Sequence, residues 1–317
     1  MMPLNFNHKP VLVEQVLACL AVHPAGLYLD ATVGGGGHAA AILAAGAPDA
    51  YLVGLDQDQD ALAAAAQTLA PYNDRVQLLY SNFANMQNAV AEAGFGAQSF
   101  DGVLMDIGVS SHQLDTAERG FSFQQDAPLD MRMDRQTPLT AAIIINTWDE
   151  AELTRIFYEC GEENWARRIA RFIIAEREEA PIQTTGELVE IIKKAIPQGA
   201  REKDKHPATR TFQALRITVN DELGVLERGL DSAKELLKPG GRLAVISFHS
   251  LEDRIIKEKF RLWARSCICS KQLPVCICNH QPEIRLVTRK PRTADAKELT
   301  ENPRSRSAKL RAAEKLV

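Results

Sequence analysis

The chain has 317 residues, 45% apolar and 25% charged, with 19 Gly and 15 Pro, which is ordinary globular usage and too apolar for a disordered tail. At roughly 100–200 residues per domain, the length predicts about two structural units and excludes a small stapled scaffold. Lys and Arg number 37 against 41 Asp and Glu, a net −4 that hides an asymmetry: residues 1–130 carry −11, residues 131–253 carry −3 and residues 254–317 carry +10. A basic C-terminal fifth on an acidic chain points to a polyanion partner such as nucleic acid, against the plainer reading of a solvated tail. No run approaches the roughly 18–20 apolar residues of a membrane span, and the start MMPLNFNHKP lacks a secretory pattern, so a cytoplasmic protein without membrane contact is expected.

β-rich runs recur at GLYLD (26–30), YLVGLD (51–56), VQLLY (76–80) and FDGVLMDIG (100–108), separated by Ala-rich segments of helical length. That alternation predicts parallel βαβ units, and strands apolar throughout predict helices on both faces. The fold class is therefore α/β and Rossmann-like, with ligands at the carboxyl edge of the sheet. From about 115 to 215 amphipathic helices take over, at 149–160, 162–178 and 187–196. The last is opened by Thr184 and Glu187 at capping-box spacing and stopped by Pro197. Strands resume at GRLAVISF (241–248), EIRLVT (283–288) and SAKLRAAE (307–314). The pattern predicts a mostly parallel domain formed by 1–114 and 216–317, interrupted by an all-helical substrate-recognition domain at 115–215.

The first strand leads into Asp30-Ala31-Thr32-Val33-Gly34-Gly35-Gly36-Gly37-His38 and a helix. Four glycines let backbone N–H groups approach a ligand closely. Gly34, Gly36 and Ala39 even satisfy a dinucleotide pattern, which keeps a nicotinamide-dependent dehydrogenase in play. Asp30 argues against it, because a carboxylate at the strand tip repels a pyrophosphate and attracts a cation. Asp56, ending the second strand, is placed to accept from both ribose hydroxyls of an adenosine, or merely to start a helix. Phe83, after the third strand, suits an adenine face or the core. The fourth strand ends in Asp106-Ile107-Gly108-Val109-Ser110-Ser111-His112-Gln113, polar groups suited to an exocyclic amine acceptor or to a turn.

DATVGGGGH, GLDQD, SNF and MDIGVSS resemble the successive motifs of class I S-adenosylmethionine-dependent methyltransferases, with wording closest to the ribosomal RNA small subunit methyltransferase H (MraW) family. ERGFSF (118–123), PLDMRMD (128–134), HPATRTFQALRI (206–217), ISFHSLEDRIIK (246–257) and ENPRSRSAKLR (301–311) extend the match along the chain. The resemblance implies a cytosolic bacterial enzyme that methylates N4 of a cytidine in the decoding centre of 16S ribosomal RNA, with S-adenosylmethionine as donor and the assembled small subunit as partner. It puts Gly36, Gly37 and His38 against the methionine part of the donor, Asp56 on the ribose, Phe83 at the adenine, and Asp106 and Gln113 near the methionine amine and the transfer centre. Two departures stand out. Gly35 replaces the Arg or Lys of many relatives, leaving the neighbouring backbone amides intact. Asp106-Ile107-Gly108-Val109 replaces the Asp/Asn-Pro-Pro-Tyr/Phe of amine methyltransferases, so the usual stacking aromatic is missing.

Trp148 and Trp165, with Arg167, Arg168 and Arg171, offer an aromatic and basic face for single-stranded RNA, or a solvated face beside a core anchor. Phe212, Leu215 and Val219 share one buried stripe, which leaves Arg210 and Arg216 for phosphate on the other side. Asp106 and His249 are the candidates for a proton acceptor, with His249 better suited to positioning the base or capping the next helix. Cys267, Cys269, Cys276 and Cys278 amount to four soft ligands, but paired as C-x-C rather than the commoner C-x2-4-C, and no metal is assigned to them. Besides the dehydrogenase, the alternative is a noncatalytic RNA-binding assembly protein that keeps the donor fold as scaffold. Oligomeric state stays open.

Overall fold

A computed structural model of the protein describes residues 10–202, 205–269, 275 and 277–317. Among the described residues seven strands form one sheet: β1 (Leu27–Asp30), β2 (Tyr51–Asp56), β3 (Val76–Tyr80), β4 (Phe100–Asp106), β5 (Leu237–Ser247), β6 (Ile284–Leu286) and β7 (Lys309–Lys315). Their order is β3-β2-β1-β4-β5-β7-β6. The first five strands run parallel, and β7 is antiparallel to both β5 and β6.

Alternate residues of the central strands supply two cores. Leu29, Val53, Val103, Met105, Leu243 and Val245 enter one cluster, while Tyr28, Leu52, Leu104, Ala244 and Ile246 enter the other. Both faces are covered, which is why these strands read as unbroken apolar runs. The chain moves from β1 outward to β3 and then returns to the other flank of β1 at β4. That reversal opens a crevice at the carboxyl ends of β1 and β4, and the functional site is built there. β5 starts earlier than GRLAVISF suggests: Phe100 pairs with Leu237, then Gly102 with Arg242, so the intervening KPGG is accommodated as a bulge.

The chain divides into a sheet unit, up to Gly108 and again from Leu223, and a helical unit, Val109–Glu222. The helical unit takes in residues on either side of 115–215 because Val109, Leu114 and Val219 pack into its own core. Its longer helices are Glu150–Glu159, Ala166–Glu179, Thr185–Ala195 and Thr209–Val219. Thr184 and Glu187 form the expected capping box, and the helix ends at Ala195, two residues before Pro197. Ala166–Glu179 begins later than the apolar pattern suggests, because Glu162 takes a left-handed φ of 50°. No helix among the described residues is long and apolar enough to cross a membrane.

Candidate functional site

The turn after β1 is held by its neighbours on both sides. Ala31 N–H donates to the Leu104 carbonyl (2.9 Å) and Val33 N–H to the Leu55 carbonyl (2.8 Å). Thr32 Oγ1 accepts from Asp106 N–H at 2.7 Å, and Asp56 Oδ2 accepts from Gly34 N–H at 2.9 Å. The helix Gly37–Ala45 then starts from Gly36, which has φ 84°. A Cβ there would stand 3.2–3.3 Å from Leu69, Ala65 and Thr68, so only glycine fits both the backbone and the space. Gly36, Gly37 and His38 thus open a helix whose first N–H groups face the crevice edge.

Three carboxylates end the strands around this turn. Asp30 is 1% exposed, and burial pushes it up to about 7, opposed by His38 and the Thr32 N–H and reinforced by Asp106 and Asp56. Burial pushes Asp56 up to about 6 against the N–H groups of Asp58 and Gly34. Asp106 rises to about 7 through burial first and the nearby Glu252 carboxylate second, although 25% of its side chain still meets solvent. His38 donates from Nε2 to the Val11 carbonyl (2.8 Å), turning Nδ1 towards Asp106 Oδ2 at 3.6 Å, beyond hydrogen-bond reach. Burial lowers the His38 pKa, which favours the neutral ring. Asp30 Oδ2 and Asp106 Oδ1 are buried without a hydrogen-bond partner among the described residues. The cluster is short of positive charge and of N–H donors, and a ligand carrying both would complete it.

Phe83 is half-buried against the core of the sheet unit, so close to Gly229 that a Cβ there would lie 2.5 Å from its ring. His249 caps the helix Ser250–Trp263: its Nδ1 accepts from Glu252 N–H at 3.3 Å, while Nε2 lies 3.0 Å from Glu252 Oε1 without hydrogen-bond alignment. Positioning the base and capping the helix are the two alternatives to a proton acceptor for His249, and capping is the one the geometry displays. Gln113, in the helical unit, accepts from Ser110 N–H through Oε1 (3.0 Å) and completes the capping box of Ser111–Asp115. Glu252 and Phe248 stand beside the end of β4, and sequence reasoning misses both. The H-S-L-E spacing of His249 and Glu252 is a readable capping signal. A Cβ on Gly108 would stand 3.4 Å from the Phe248 ring, so an aromatic does sit beside the strand end that lacks the amine-methyltransferase aromatic.

In the helical unit Arg167 and Arg171 are exposed, and Arg168 lies over the Trp165 and Phe172 rings at 5.9 and 5.4 Å. Trp148 and Trp165 are half-buried against the helical core. Phe212, Leu215 and Val219 are buried as expected. Arg216 is not left free for phosphate as its place on the helix suggests. Its guanidinium grips both oxygens of Glu222, at 2.8 and 2.7 Å, and is only 17% exposed. Arg210 pairs with Glu202 at 2.7 Å and keeps 31% of its side chain exposed. The ERGFSF and PLDMRMD motifs fold on themselves: Arg119 donates to the carbonyls of Arg132 and Met133, and Arg132 binds both oxygens of Asp130.

The family model described as the MraW methylase family matches residues 5–316. A ribosomal RNA small subunit methyltransferase H from Symbiobacterium thermophilum is 59% identical over 99% of this chain and 98% of its own. Proteins of the same name from Geotalea daltonii and Geobacter sulfurreducens are each 56% identical, over 98% and 99% of this chain and 99% and 100% of theirs.

Proposed function

The chain belongs to the MraW methylase family, and from that premise we propose that it moves a methyl group from S-adenosylmethionine to N4 of a cytidine in the decoding centre of 16S ribosomal RNA. The observation that carries the donor half is the trio Asp30, Asp56 and Asp106, held up by burial and without a Lys or Arg partner among the described residues. S-adenosylmethionine offers an ammonium, a sulfonium and ribose hydroxyls, and no phosphate. A nicotinamide dinucleotide would bring its pyrophosphate to the same carboxylates, where like charges repel.

In this reading Gly36, Gly37 and His38 line the methionine part of the donor. Asp56 accepts the ribose hydroxyls on the lone pairs left beside its bonds to Gly34 and Asp58. Phe83 lies at the adenine, Asp106 serves the methionine amine and the transfer centre, and Gln113 keeps the role that the family resemblance gives it. The donor's sulfonium supplies a methyl on a good leaving group, so this chain contributes alignment more than activation. Once N4 has gained its methyl it must shed a proton, and Asp106, with its acidity moved to about 7, is the acceptor we assign. Phe248 supplies the ring against which the cytosine is held, replacing the aromatic absent after Asp106. The exposed Arg167, Arg168 and Arg171 with Trp165 bind RNA backbone and bases from the helical unit. The substrate is the assembled small subunit in the cytoplasm.

The test incubates the protein with methyl-labelled donor and small subunits from a strain lacking the endogenous enzyme, then digests the RNA and identifies the labelled nucleoside. Label in N4-methylcytidine is the expected result. Label in another nucleoside overturns the acceptor atom, and donor binding without label favours a noncatalytic assembly role.

A further inference from the structure

The segment between the helix Ser250–Trp263 and β6 has its ends pinned, Glu283 N–H donating to the Trp263 carbonyl at 2.8 Å. Residues 264–282 lie between them, a longer stretch than the roughly 12–15 residues that most connections stay within. Among its described residues Ile268, Val275 and Ile277 are 56%, 70% and 73% exposed, so they supply no apolar core. Yet the sulfur atoms of Cys267, Cys269 and Cys278 all lie within 4.8 Å of one another. Cys267 and Cys278 Sγ are 3.8 Å apart. A disulfide would bring them to ~2.05 Å. Two thiolates on one tetrahedral zinc, each at ~2.3 Å, stand ~3.8 Å apart.

We propose that Cys267, Cys269 and Cys278 bind a structural zinc ion that staples this loop. The match between the sulfur separation and the edge of a zinc–thiolate tetrahedron carries the proposal, and the exposed apolar residues give the loop a need for a staple. Each thiol gives its proton to solvent as its sulfur binds, so the ion exchanges three protons for three metal–sulfur bonds. The fourth position is closed by a further donor. The sequence carries a fourth thiol in the same run, Cys276, which lies outside the described residues. Soft thiolate ligands in tetrahedral array select zinc over magnesium or calcium, which prefer oxygen. None of the residues given to the donor under the proposed function belongs to this stretch, so the zinc site is tested apart from that reading.

The full chain, purified without a metal-affinity step and kept reduced, is assayed for zinc by mass spectrometry of the elements. About one zinc per chain is expected, falling several-fold in Cys269→Ser and Cys278→Ser and unchanged in Cys160→Ser. Because a serine variant can misfold, the unaltered protein is also stripped with a chelator and titrated with cobalt(II), which should give thiolate-to-metal charge-transfer absorption at one equivalent. The stripped protein should be cut more readily by protease within 264–282 while binding S-adenosylmethionine as before. Absence of zinc together with absence of the cobalt signal in reduced protein overturns the proposal, as does zinc content indifferent to both serine variants. Loss of donor binding alone, with the zinc intact, would count against the proposed function and not against this site.

Discussion

Buried acids are treated in opposite ways in two regions of this protein. In the helical unit Asp130 is desolvated, but Arg132 outweighs the burial with two hydrogen bonds and holds the carboxyl below its ordinary value. Glu222 is likewise gripped by Arg216. At the carboxyl edge of the sheet Asp30 is buried and Asp56 and Asp106 are partly buried, no Lys or Arg answers them among the described residues, backbone N–H groups serve Asp30 and Asp56, and all three are pushed up. The sheet unit is not simply acidic, since Asp253, on the helix that follows β5, is bound by Arg311 and held down despite its burial. A buried acid with its own guanidinium is architecture. One left to burial and backbone holds a charge deficit that a cationic ligand can fill.

The sharpest way to break this contrast is Arg216→Ala. Stripping the guanidinium from a buried carboxylate costs ~3–5 kcal/mol, and the residual 17% exposure of Arg216 places the loss near the lower figure. A melting temperature lower by roughly 4–5 °C should follow in calorimetry. Unchanged stability with weakened RNA binding would restore Arg216 as a phosphate ligand. Next in size is Asp56→Ala, which removes an acceptor of charge-assisted hydrogen bonds worth ~1.5–3 kcal/mol and should weaken S-adenosylmethionine binding by roughly 10–150-fold. Titration calorimetry showing equal affinity would remove Asp56 from the ribose.

The raised carboxylates at the sheet edge also set a pH dependence. A cationic donor is drawn to ionised carboxylates, so its affinity should fall as pH drops through about 7, where Asp30 and Asp106 take up protons, and again through about 6, where Asp56 does. A flat profile from pH 8 to 5 would sink the electrostatic account. Stability should move the other way. Because the folded-state pKa of Asp106 is raised to about 7, its protonated form favours the fold at low pH, and that contribution is lost as pH rises from its unfolded value through 7. Asp106→Asn keeps the uncharged form at every pH, so it should raise the melting temperature by a few degrees at pH 8 and progressively less towards pH 4. The smallest effect is on the exposed helix face. Arg167→Ala with Arg171→Ala should leave stability within ~0.5 kcal/mol while lowering the salt dependence of RNA binding by about one unit of slope for each phosphate no longer neutralised.

The sheet was legible because helices bury both strand faces, and such strands appear as continuous apolar words ending in Asp. Asp30, Asp56 and Asp106 could therefore be placed at one edge from spacing alone. Partners joined across helix ends were not legible. Arg216 sits on the polar side of a clear amphipathic stripe, and nothing in that periodicity reveals Glu222 turning back beyond the helix end to meet it. Gln113 reads as a ligand residue, although Ser110-x-x-Gln113 is also a capping box, and the side-chain oxygen is used there. Asp106's neighbour Glu252 is invisible in the sequence because it belongs to another strand's following helix, brought close only by the pairing of β4 with β5.

The position of β7 governs the order in which the sheet can assemble. It follows β6 in the chain yet lies between β6 and β5, so the three residues of β6 have no place in the sheet until residues 309–314 have paired with Arg242–Ser247. During synthesis the β5 edge consequently waits, open and apolar, as a template for strands of other chains. A protein built this way is most exposed to aggregation in the interval before β7 leaves the exit tunnel.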